Sequence, residues 1–367
     1  MGSPRISVIM PIFKEEGLLK DSIESVLSQT FSDVETILID NNASPETHRI
    51  AQEYADRYPK SIRLVHEPKQ GSPNARNTGI RECRGEYIAL LDADDLMYPE
   101  RLKLQYEFMH GRKDISLVTS KFNFIDRLTG NVLEKDLTQK FWDEIETEVG
   151  KLFPDRKDSQ GRSTFYLPLT PTVFLRKETA LKVGLFDVRF CPRDFDDVEF
   201  FVRVFEEGDF HHIPQVLASY RISSKTSKKN KGILNFYRHA EAFLSVLWER
   251  YSAQADDRNK TFRNLQSIIL RRAGLQFLEI PQAANIGRHL IRRSVYAKPW
   301  NLDAWKLWTK TFLPKNLHPQ LFWFGEHDSD SLPPGIDTKF AQDFLQWPIS
   351  PLSIPIQKSS LRTQEGR

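Results

Sequence analysis

The first hundred residues alternate between short apolar runs and longer segments whose apolar residues recur at helical spacing. Runs rich in β-branched and aliphatic residues predict strands, and the segments between them are long enough for helices. The predicted strands are Ile6–Met10, which ends before Pro11, then Thr36–Ile39, Ile62–Val65 and Glu86–Leu91, and the predicted helices are Leu18–Leu27, Pro45–Tyr58 and Ala75–Cys83. This alternation predicts βαβ units, a parallel sheet and an α/β fold class.

The pattern weakens between residues 121 and 170, where 155–162 form a polar segment typical of a loop. Regular structure is predicted again at Thr172–Leu175, followed by a short helix that ends near Val183. Beyond residue 226 the chain is predicted to be mainly helical, over Phe236–Tyr251, Phe262–Phe277 and Ala284–Tyr296. We therefore expect three parts: an α/β domain over 1–227, a helical C-terminal region over 228–350 and a flexible tail over 351–367.

Three tryptophans, Trp300, Trp305 and Trp308, follow the last predicted helix. Their spacing of five and three residues is ordinary for a helix packed in a core, which we favour. The alternative is an amphipathic surface that rests at a membrane interface.

Composition is that of a soluble globular protein, with 40% hydrophobic and 28% charged residues. No membrane-spanning run or signal peptide is visible, and two cysteines, Cys83 and Cys191, give no disulfide framework. We therefore expect a cytoplasmic protein with reduced thiols.

Charge is unevenly distributed, because residues from 226 onward hold 21 Lys and Arg against 12 Asp and Glu, a net +9. The first 225 residues hold 31 against 37, a net −6. A basic C-terminal part is compatible with peripheral contact at the anionic inner face of the cell membrane or with a phosphorylated acceptor. Nucleic acid is not expected as a partner, since the basic residues are scattered and accompany no recognised motif.

The strongest chemical signal is the run Asp92-Ala93-Asp94-Asp95, directly after a predicted buried strand. Asp95 alone could cap a helix entered at Pro99, but a cap explains one carboxylate and not three. Carboxylates at the carboxyl end of a sheet strand suit a divalent cation that carries phosphates. The chain has neither a Gly-x-Gly-x-x-Gly loop nor a P-loop lysine, which disfavours a dehydrogenase and a Walker-type NTPase.

Several motifs fall in order along the first 227 residues. They are Val8–Lys14, Ser28–Asp33, Leu38–Ser44, Gly71–Gly79 running on through Gly85 to Asp95, and Asp196–Arg203. Together they resemble the family 2 glycosyltransferases of the bacterial surface-glycan type. The resemblance implies a GT-A fold, which is Rossmann-like with a mixed, mostly parallel sheet flanked by helices, and an inverting mechanism.

The resemblance implies a nucleotide pocket at the ends of the first strands. Pro11 and Phe13 would lie at the base, with the Phe13 ring available for stacking. Asp40 and Asn41 would meet the edge of the base, and Arg76 would reach the same pocket. Many relatives have a second Asp where this chain has Asn41.

The resemblance also implies the metal site and the catalytic base. Asp94 would coordinate Mn²⁺ or Mg²⁺ at the donor diphosphate, and Asp92 would contact the ribose or a metal-bound water. Asp197 aligns with the usual general base, and Asp196 with the residue before it; Asp194 is a nearby rival for the role of base. Both carboxylates could instead only cap their helix. We expect the helix N-terminus to lower the pKa of the base.

Basic residues close the catalytic domain, and the resemblance makes Arg221 and Lys225 candidates for the diphosphate. Ser223 stands where relatives often have a metal-binding His. His211 and His212 are adjacent, which is not the spacing of a helical metal pair, so we expect a structural role for both.

We therefore expect a metal-assisted inverting glycosyltransferase that moves a sugar from a nucleotide diphosphate-sugar, with a UDP-sugar favoured. The acceptor would be a hydroxyl of a glycan or a lipid-linked saccharide, and self-association is left open. Two alternatives are a non-catalytic nucleotide-sugar-binding adaptor and a sugar-1-phosphate nucleotidyltransferase. The latter should carry a Gly-rich phosphate loop after the first strand, which Pro11–Lys14 lacks.

Overall fold

The computed structural model describes residues 3–133, 139–153, 165–190, 195–222, parts of 240–250, 256–278, 284–300 and 302–310. The strands are β1 Ile6–Ile12, β2 Val34–Asp40, β3 Ile62–His66, β4 Tyr87–Leu90, β5 Leu96–Met97, β6 Ile115–Asp126, β7 Val132–Leu133, β8 Phe174–Arg176 and β9 Asp209–Ile222. The helices are α1 Leu19–Leu27, α2 Pro45–Arg57, α3 Ser72–Glu82, α4 Arg101–Met109, α5 Gln139–Gly150, α6 Lys177–Lys182, α7 Asp196–Glu207, α8 Asp256–Leu278, α9 Ala284–Ala297 and α10 Leu302–Lys310.

The chain divides into two compact units. The first comprises residues 1–229 together with 238–243, and the second comprises 230–237 and the chain from 244 onward. The boundary predicted at residue 227 stays a prediction.

One sheet forms the centre of the first unit, in the order β3-β2-β1-β4-β8-β6-β9-β5, with β7 paired to β6. Strands β1 to β4 are parallel to one another, whereas β8, β5 and β7 run antiparallel to their neighbours. The α/β class, the mixed and mostly parallel sheet, and the first four strands with their helices are thus confirmed. The chain order reverses between β1 and β4, and such a switch point is where open α/β sheets bind ligands.

The prediction that the first strand ends before Pro11 is wrong, because β1 continues to Ile12 and Pro11 pairs with Ile39. The backbone N–H and C=O groups of the odd-numbered residues of β1 point toward β4, since the Leu91 amide donates to the carbonyl of Ile9. β4 ends at Leu90, so the missing N–H of Pro11 deprives no neighbour of a hydrogen bond.

Regular elements extend into the stretch where the sequence pattern is weak. β6 carries polar residues along its length, and one of them, Thr119, is satisfied by a 2.5 Å hydrogen bond to Thr172. α5 buries Ile145 and Val149 on one face. The expected loop at 155–162 and the tail at 351–367 lie outside the described residues, as does Cys191, whereas Cys83 is a buried free thiol.

The second unit is helical where it is described, which confirms the helices predicted over 262–277 and 284–296. The expectation that the tryptophans belong to a core is wrong for Trp300, which is 89% exposed, and for Trp305, which is 40% exposed. None of the helices in the described part of the chain is long and apolar enough to cross a bilayer.

Gly85 is required where the chain enters β4. A Cβ atom there would lie 2.7 Å from the backbone nitrogen of Ser7 and 2.8 Å from the carbonyl carbon of Ile6, and backbone cannot move aside cheaply. We expect Gly85→Ala to lower the free energy of unfolding by about 1–3 kcal/mol, measured by urea denaturation. Gly17→Ala is the control, because nothing lies within 4 Å of its Cβ position. Equal midpoints for the two variants would contradict this prediction.

Candidate active site

The loops that follow β1 and β2 are joined by backbone hydrogen bonds at the switch point. Asn41 donates to the carbonyl of Ile12 over 3.1 Å, and Ser44 donates to that of Phe13 over 2.7 Å. The turn after β4 contacts the helix that follows β1, since the Ser22 hydroxyl donates to the carbonyl of Ala93 over 2.9 Å. The residues that follow β1, β2 and β4 thus meet at one edge of the sheet.

Asp40 and Asn41, which we expect at the edge of the nucleotide base, both form side-chain hydrogen bonds within the protein. The Asp40 carboxylate accepts from the Ala43 amide at 2.8 Å and pairs with Nδ1 of His48 at 2.6 Å. The Asn41 side chain donates to the carbonyls of Glu67 and Lys69 and accepts from the Gly71 amide at 2.7 Å. Asn41 therefore braces the loop between β3 and α3, and its expected role at the base is corrected, since both amide protons are already used.

Phe13 is half-buried, with the ammonium group of Lys14 4.8 Å from its ring centre. Pro11 lies two residues earlier in the chain, near the end of the pairing between β1 and β2. One face of an aromatic ring beside a strand end can stack on a base. The roles of Pro11 and Phe13 at the nucleotide pocket stay predictions.

The acidic turn after β4 is tight, because the Asp95 amide donates to the Asp92 carbonyl over 3.0 Å. Asp92 and Asp94 are partly accessible, with side chains 30% and 26% exposed, whereas Asp95 is buried. Burial is the main cause that raises the pKa of Asp95, and the charges of the neighbouring carboxylates raise it further. Burial and the charge of Asp92 likewise raise the pKa of Asp94. In this turn burial is therefore the main cause of both pKa shifts, and the closeness of the carboxylates adds to it.

A divalent cation fits the chemistry of this turn. The Oδ2 atom of Asp95 is buried without a hydrogen-bond partner, and the oxygens of Asp92 and Asp94 are the hard donors that Mg²⁺ and Mn²⁺ prefer. Within the described ranges, however, no three acidic, His or Cys side chains converge closely enough to hold an ion. The chain would therefore supply only part of the coordination, and the diphosphate and water would supply the rest.

Arg221 is committed to holding the acidic turn. Its Nη1 donates to the Asp94 carbonyl at 3.0 Å, its Nη2 pairs with Asp21 at 2.9 Å, and its backbone amide donates to Asp95 at 2.8 Å. The side chain is only 7% exposed. The contacts of Nη1 and Nη2 use two of the five N–H donors of the guanidinium, and the binding of the diphosphate by Arg221 stays a prediction. Lys225 and Ser223 lie outside the described residues.

Arg127 is a site residue that the sequence does not reveal. It follows β6, and its Nη1 pairs with the Asp94 carboxylate at 2.8 Å while the side chain remains 39% exposed. Tyr220 also lies in the field of this acidic group, since burial and then the charges of Asp95 and its neighbours raise its pKa. Arg127 belongs to no recognised motif, and the pairing of β6 with β9 brings it to the turn.

Arg76 is held between two carboxylates, and its expected place at the nucleotide base stays a prediction. It is buried, and it donates from Nη1 to Asp196 at 2.7 Å and from Nη2 to Asp92 at 3.0 Å. Its sequence neighbour Asn77 exchanges two hydrogen bonds of 2.8 Å with the backbone of Phe186. α3 therefore ties the acidic turn to the chain that leads into α7. An arginine in this position is explained by its two carboxylate partners, which attract it more strongly than an uncharged base would.

The predicted base and its neighbour open α7. Asp196 is buried, and Asp197 is partly accessible, with Oδ1 2.8 Å from the amide of Val198. Phe195 precedes them with φ 66°, an uncommon conformation for a large side chain, and stacks on Phe243 with 5.1 Å between ring centres. Strained backbone of this kind is found at functional sites. Asp194, the rival base, lies outside the described residues.

The expectation of a lowered pKa at Asp197 is wrong. Burial raises the pKa of Asp197 to about 7, and the charge of Asp196 adds to this, while Arg76 opposes it. Desolvation and a like charge thus outweigh the helix N-terminus, which is worth less than a full charge. A carboxylate with a pKa near neutrality is suited to general base catalysis.

The remaining polar candidates are structural. Glu199 and Arg203 form a buried pair at 2.6 Å, and Arg203 also donates to the Leu185 carbonyl, so both hold α7 against the preceding loop. The ring of His211 stacks on Phe108 with 3.5 Å between centres. Burial lowers the pKa of His211 and of His212.

An acidic turn joined by an arginine to a carboxylate pair at a helix start is suited to a group-transfer enzyme. Residues 7–176 match the family model described as glycosyl transferase family 2. An uncharacterized glycosyltransferase of Methanocaldococcus jannaschii is 30% identical over 228 residues, which are 61% of this chain and 73% of that protein. The chain belongs to glycosyltransferase family 2.

Two relatives with more specific descriptions match shorter segments. The minor teichoic acid biosynthesis protein GgaB of Bacillus subtilis is 34% identical over 138 residues, 37% of this chain and 15% of that protein. The chondroitin synthase of Escherichia coli is 34% identical over 114 residues, 31% of this chain and 16% of that protein. The chain thus spans less than a fifth of the length of either relative.

Solved structures share the fold at low identity. S. aureus TarS has a TM-score of 0.55 and 14% identity, with 87% of this chain and 54% of that chain covered. The mannosyltransferase PcManGT from Pyrobaculum calidifontis, solved with GDP-Man and Mn²⁺, has a TM-score of 0.53 and 15% identity, with 87% and 81% covered. These likenesses show the GT-A fold.

Proposed function

We propose that this chain transfers a sugar from a nucleotide diphosphate-sugar to an acceptor hydroxyl with inversion at the anomeric carbon. The observation that carries the proposal is the Arg76 bridge, which joins Asp92 of the acidic turn to Asp196 beside the base. A donor site and a proton acceptor are thereby held by one side chain. Inversion in one displacement requires this pairing of a leaving-group site with a base.

In the proposed reaction the acceptor oxygen forms a bond to the anomeric carbon as the bond to the diphosphate oxygen breaks. Asp197 takes the proton of the acceptor hydroxyl, and the nucleoside diphosphate leaves with the bonding electrons. Asp196 raises the proton affinity of Asp197 by its charge, and Arg76 limits that rise. Phe13 stacks on the base, and Asp40 lies at the edge of the base.

Mn²⁺ or Mg²⁺ would be held by Asp94, with Asp92 at the ribose or at a metal-bound water. The ion would neutralise the charge that develops on the leaving diphosphate. Asp95 assists by keeping the turn closed through its bond to the amide of Arg221. A UDP-sugar is the favoured donor; S. aureus TarS has been solved with UDP-GlcNAc, at a TM-score of 0.51 to this chain.

The proposed acceptor is a hydroxyl of a glycan or a lipid-linked saccharide. Its support is the similarity to a teichoic acid biosynthesis protein and to a chondroitin synthase, both of which are named for polymer synthesis. We propose that the reaction takes place in the cytoplasm. Nucleic acid has no place in this proposal.

Calorimetric titration with UDP, GDP, dTDP, CMP and their sugars, with and without Mn²⁺, tests the donor site. We expect metal-dependent binding of one nucleotide by the wild-type protein, and loss of that binding in Asp94→Ala. Glu86→Ala is a control, since this half-exposed carboxylate pairs only with arginines outside the acidic turn. Binding that needs no metal and survives Asp94→Ala would favour the adaptor, and no binding to any nucleotide would contradict the proposal.

Arg127 competes with a cation for Asp94 in the absence of a donor. We expect Arg127→Gln to raise the affinity for Mn²⁺ without nucleotide, by up to about fivefold, because an exposed ion pair is worth about 0.2–1 kcal/mol. Mn²⁺ binding followed by electron paramagnetic resonance measures this change. Arg49→Gln is the control, since Arg49 also forms a solvent-accessible ion pair, with Glu46 on α2. An unchanged affinity in Arg127→Gln would show that this ion pair does not oppose metal binding.

A further inference from the structure

Large apolar side chains are exposed where α9 turns into α10. Tyr296 is 59% exposed, Trp300 89%, Leu302 70% and Trp305 40%. These four residues, which we call the aromatic corner, lie within ten positions of the chain. In the described residues only ten large hydrophobic side chains are exposed, and the other six are distributed between Tyr98 and Val188. The aromatic corner is therefore a concentration of exposed apolar surface that chance does not explain.

The aromatic corner is a built feature of the fold. Nε1 of Trp305 donates to the carbonyl of Pro299 over 2.8 Å, which fixes the turn, and the Trp305 ring meets Trp308 edge-on at 5.5 Å. Val295 and Leu307 on the same two helices are buried. The helices thus bury one set of apolar side chains and present a second set outward, an arrangement typical of a surface that binds an apolar partner.

The chemistry of the aromatic corner suits a bilayer interface. Tryptophan and tyrosine combine an apolar ring with one polar group, and they are enriched at the level of lipid headgroups. None of the described helices can cross a bilayer, so contact would be made from the surface.

The charge of the surrounding helices complements an anionic surface. Over 256–278 and 284–310 the sequence has 11 Lys and Arg against 3 Asp and Glu. Arg292 and Lys306, on the two helices that meet at the aromatic corner, are both exposed. Basic residues near a membrane surface each contribute about 1 kcal/mol of attraction to anionic lipids. A second copy of this chain would bring the same positive charge and be repelled.

We propose that the aromatic corner inserts into the headgroup region of an anionic bilayer, with the basic residues of the same unit held by lipid phosphates and carboxylates. The occupant is the lipid surface itself. This inference rests on the second unit alone and stands whether or not the proposed sugar transfer is correct. Contact of this kind would place the chain where lipid-linked acceptors are found.

Flotation with vesicles tests the proposal, using the full chain and vesicles of phosphatidylcholine with or without phosphatidylglycerol. We expect binding to the phosphatidylglycerol vesicles, weaker binding at high salt, and a blue shift of tryptophan fluorescence on binding. Trp300→Ser combined with Leu302→Ser should lower the partition coefficient by about tenfold or more. Arg292→Gln should weaken binding by a smaller factor and reduce its salt dependence.

Leu181→Ser combined with Val188→Ser is the matched control, since these residues of the first unit are 46% and 50% exposed. The control should bind vesicles as the wild type does, and thermal unfolding should be equal in all variants. Wild-type protein that does not bind, or a Trp300 variant that binds equally, would overturn the proposal. A Trp300 variant that changes only the sedimentation coefficient would assign the aromatic corner to self-association. Calorimetric nucleotide binding, measured in parallel, separates this result from a failure of the proposed function.

Discussion

Asp197→Asn is expected to lower kcat about 10²–10⁴-fold while leaving donor binding within a factor of a few of the wild type. The amide is the same shape as the carboxylate, so the start of α7 should be preserved, but an amide cannot take the acceptor proton. Initial rates with saturating donor measure the change, and calorimetry with the nucleotide measures binding. Separate effects on rate and binding would mark Asp197 as the base.

The pH profile of the wild type gives the same assignment a second test. Because the base must be ionised and the pKa of Asp197 is raised to about 7, kcat/KM should rise as pH increases through about 7 and then level off. Asp197→Asn should lose this acid limb. Asp33→Asn is the control, as an exposed carboxylate in the turn before β2, and should keep both the rate and the limb. A profile that is flat between pH 5 and 8, or an Asp197 variant with half the wild-type rate, would contradict the assignment.

Local pattern predicts β1 to β4 because each is a short apolar run between polar turns. The same reasoning fails for β6, where a buried polar residue such as Thr119 has its partner, Thr172, 53 residues away in the chain. It also fails at Pro11, where the effect of a missing N–H depends on where β4 ends. Sequence-based prediction is therefore reliable where burial alone determines the element, and weak where a distant neighbour does.

In the candidate site, too, local motifs can be predicted from the sequence, whereas contacts between distant residues cannot. The acidic turn is visible in the sequence because three carboxylates lie in four positions. The partners of Arg76 are 16 and 120 residues away, and Arg127 meets Asp94 across 33 residues, so no local pattern reveals them. The pKa of Asp197 was predicted in the wrong direction because the helix N-terminus is a local feature, whereas burial is a property of the folded chain.

The charge of Arg76 links stability to catalysis, and Arg76→Met tests both. The Arg76 side chain is 7% exposed and pairs with Asp196, itself 6% exposed, so the variant leaves a buried carboxylate without its counter-charge. We expect a loss of about 3–5 kcal/mol in the free energy of unfolding, measured by urea denaturation. Adding Asp196→Asn should recover part of this loss, because the uncompensated charge is then removed.

Arg76→Met is also expected to change the pH dependence of catalysis. The positive charge of Arg76 favours the ionised form of Asp197, so its removal should raise the pKa of Asp197 and move the acid limb of kcat/KM to higher pH. Arg203→Met is the matched control, since it breaks an equally buried ion pair in the same helix, with Glu199. It should destabilise the protein without moving the limb. If Arg76→Met also leaves the limb in place, Arg76 serves stability alone, and the charge of Asp197 is set by burial and Asp196.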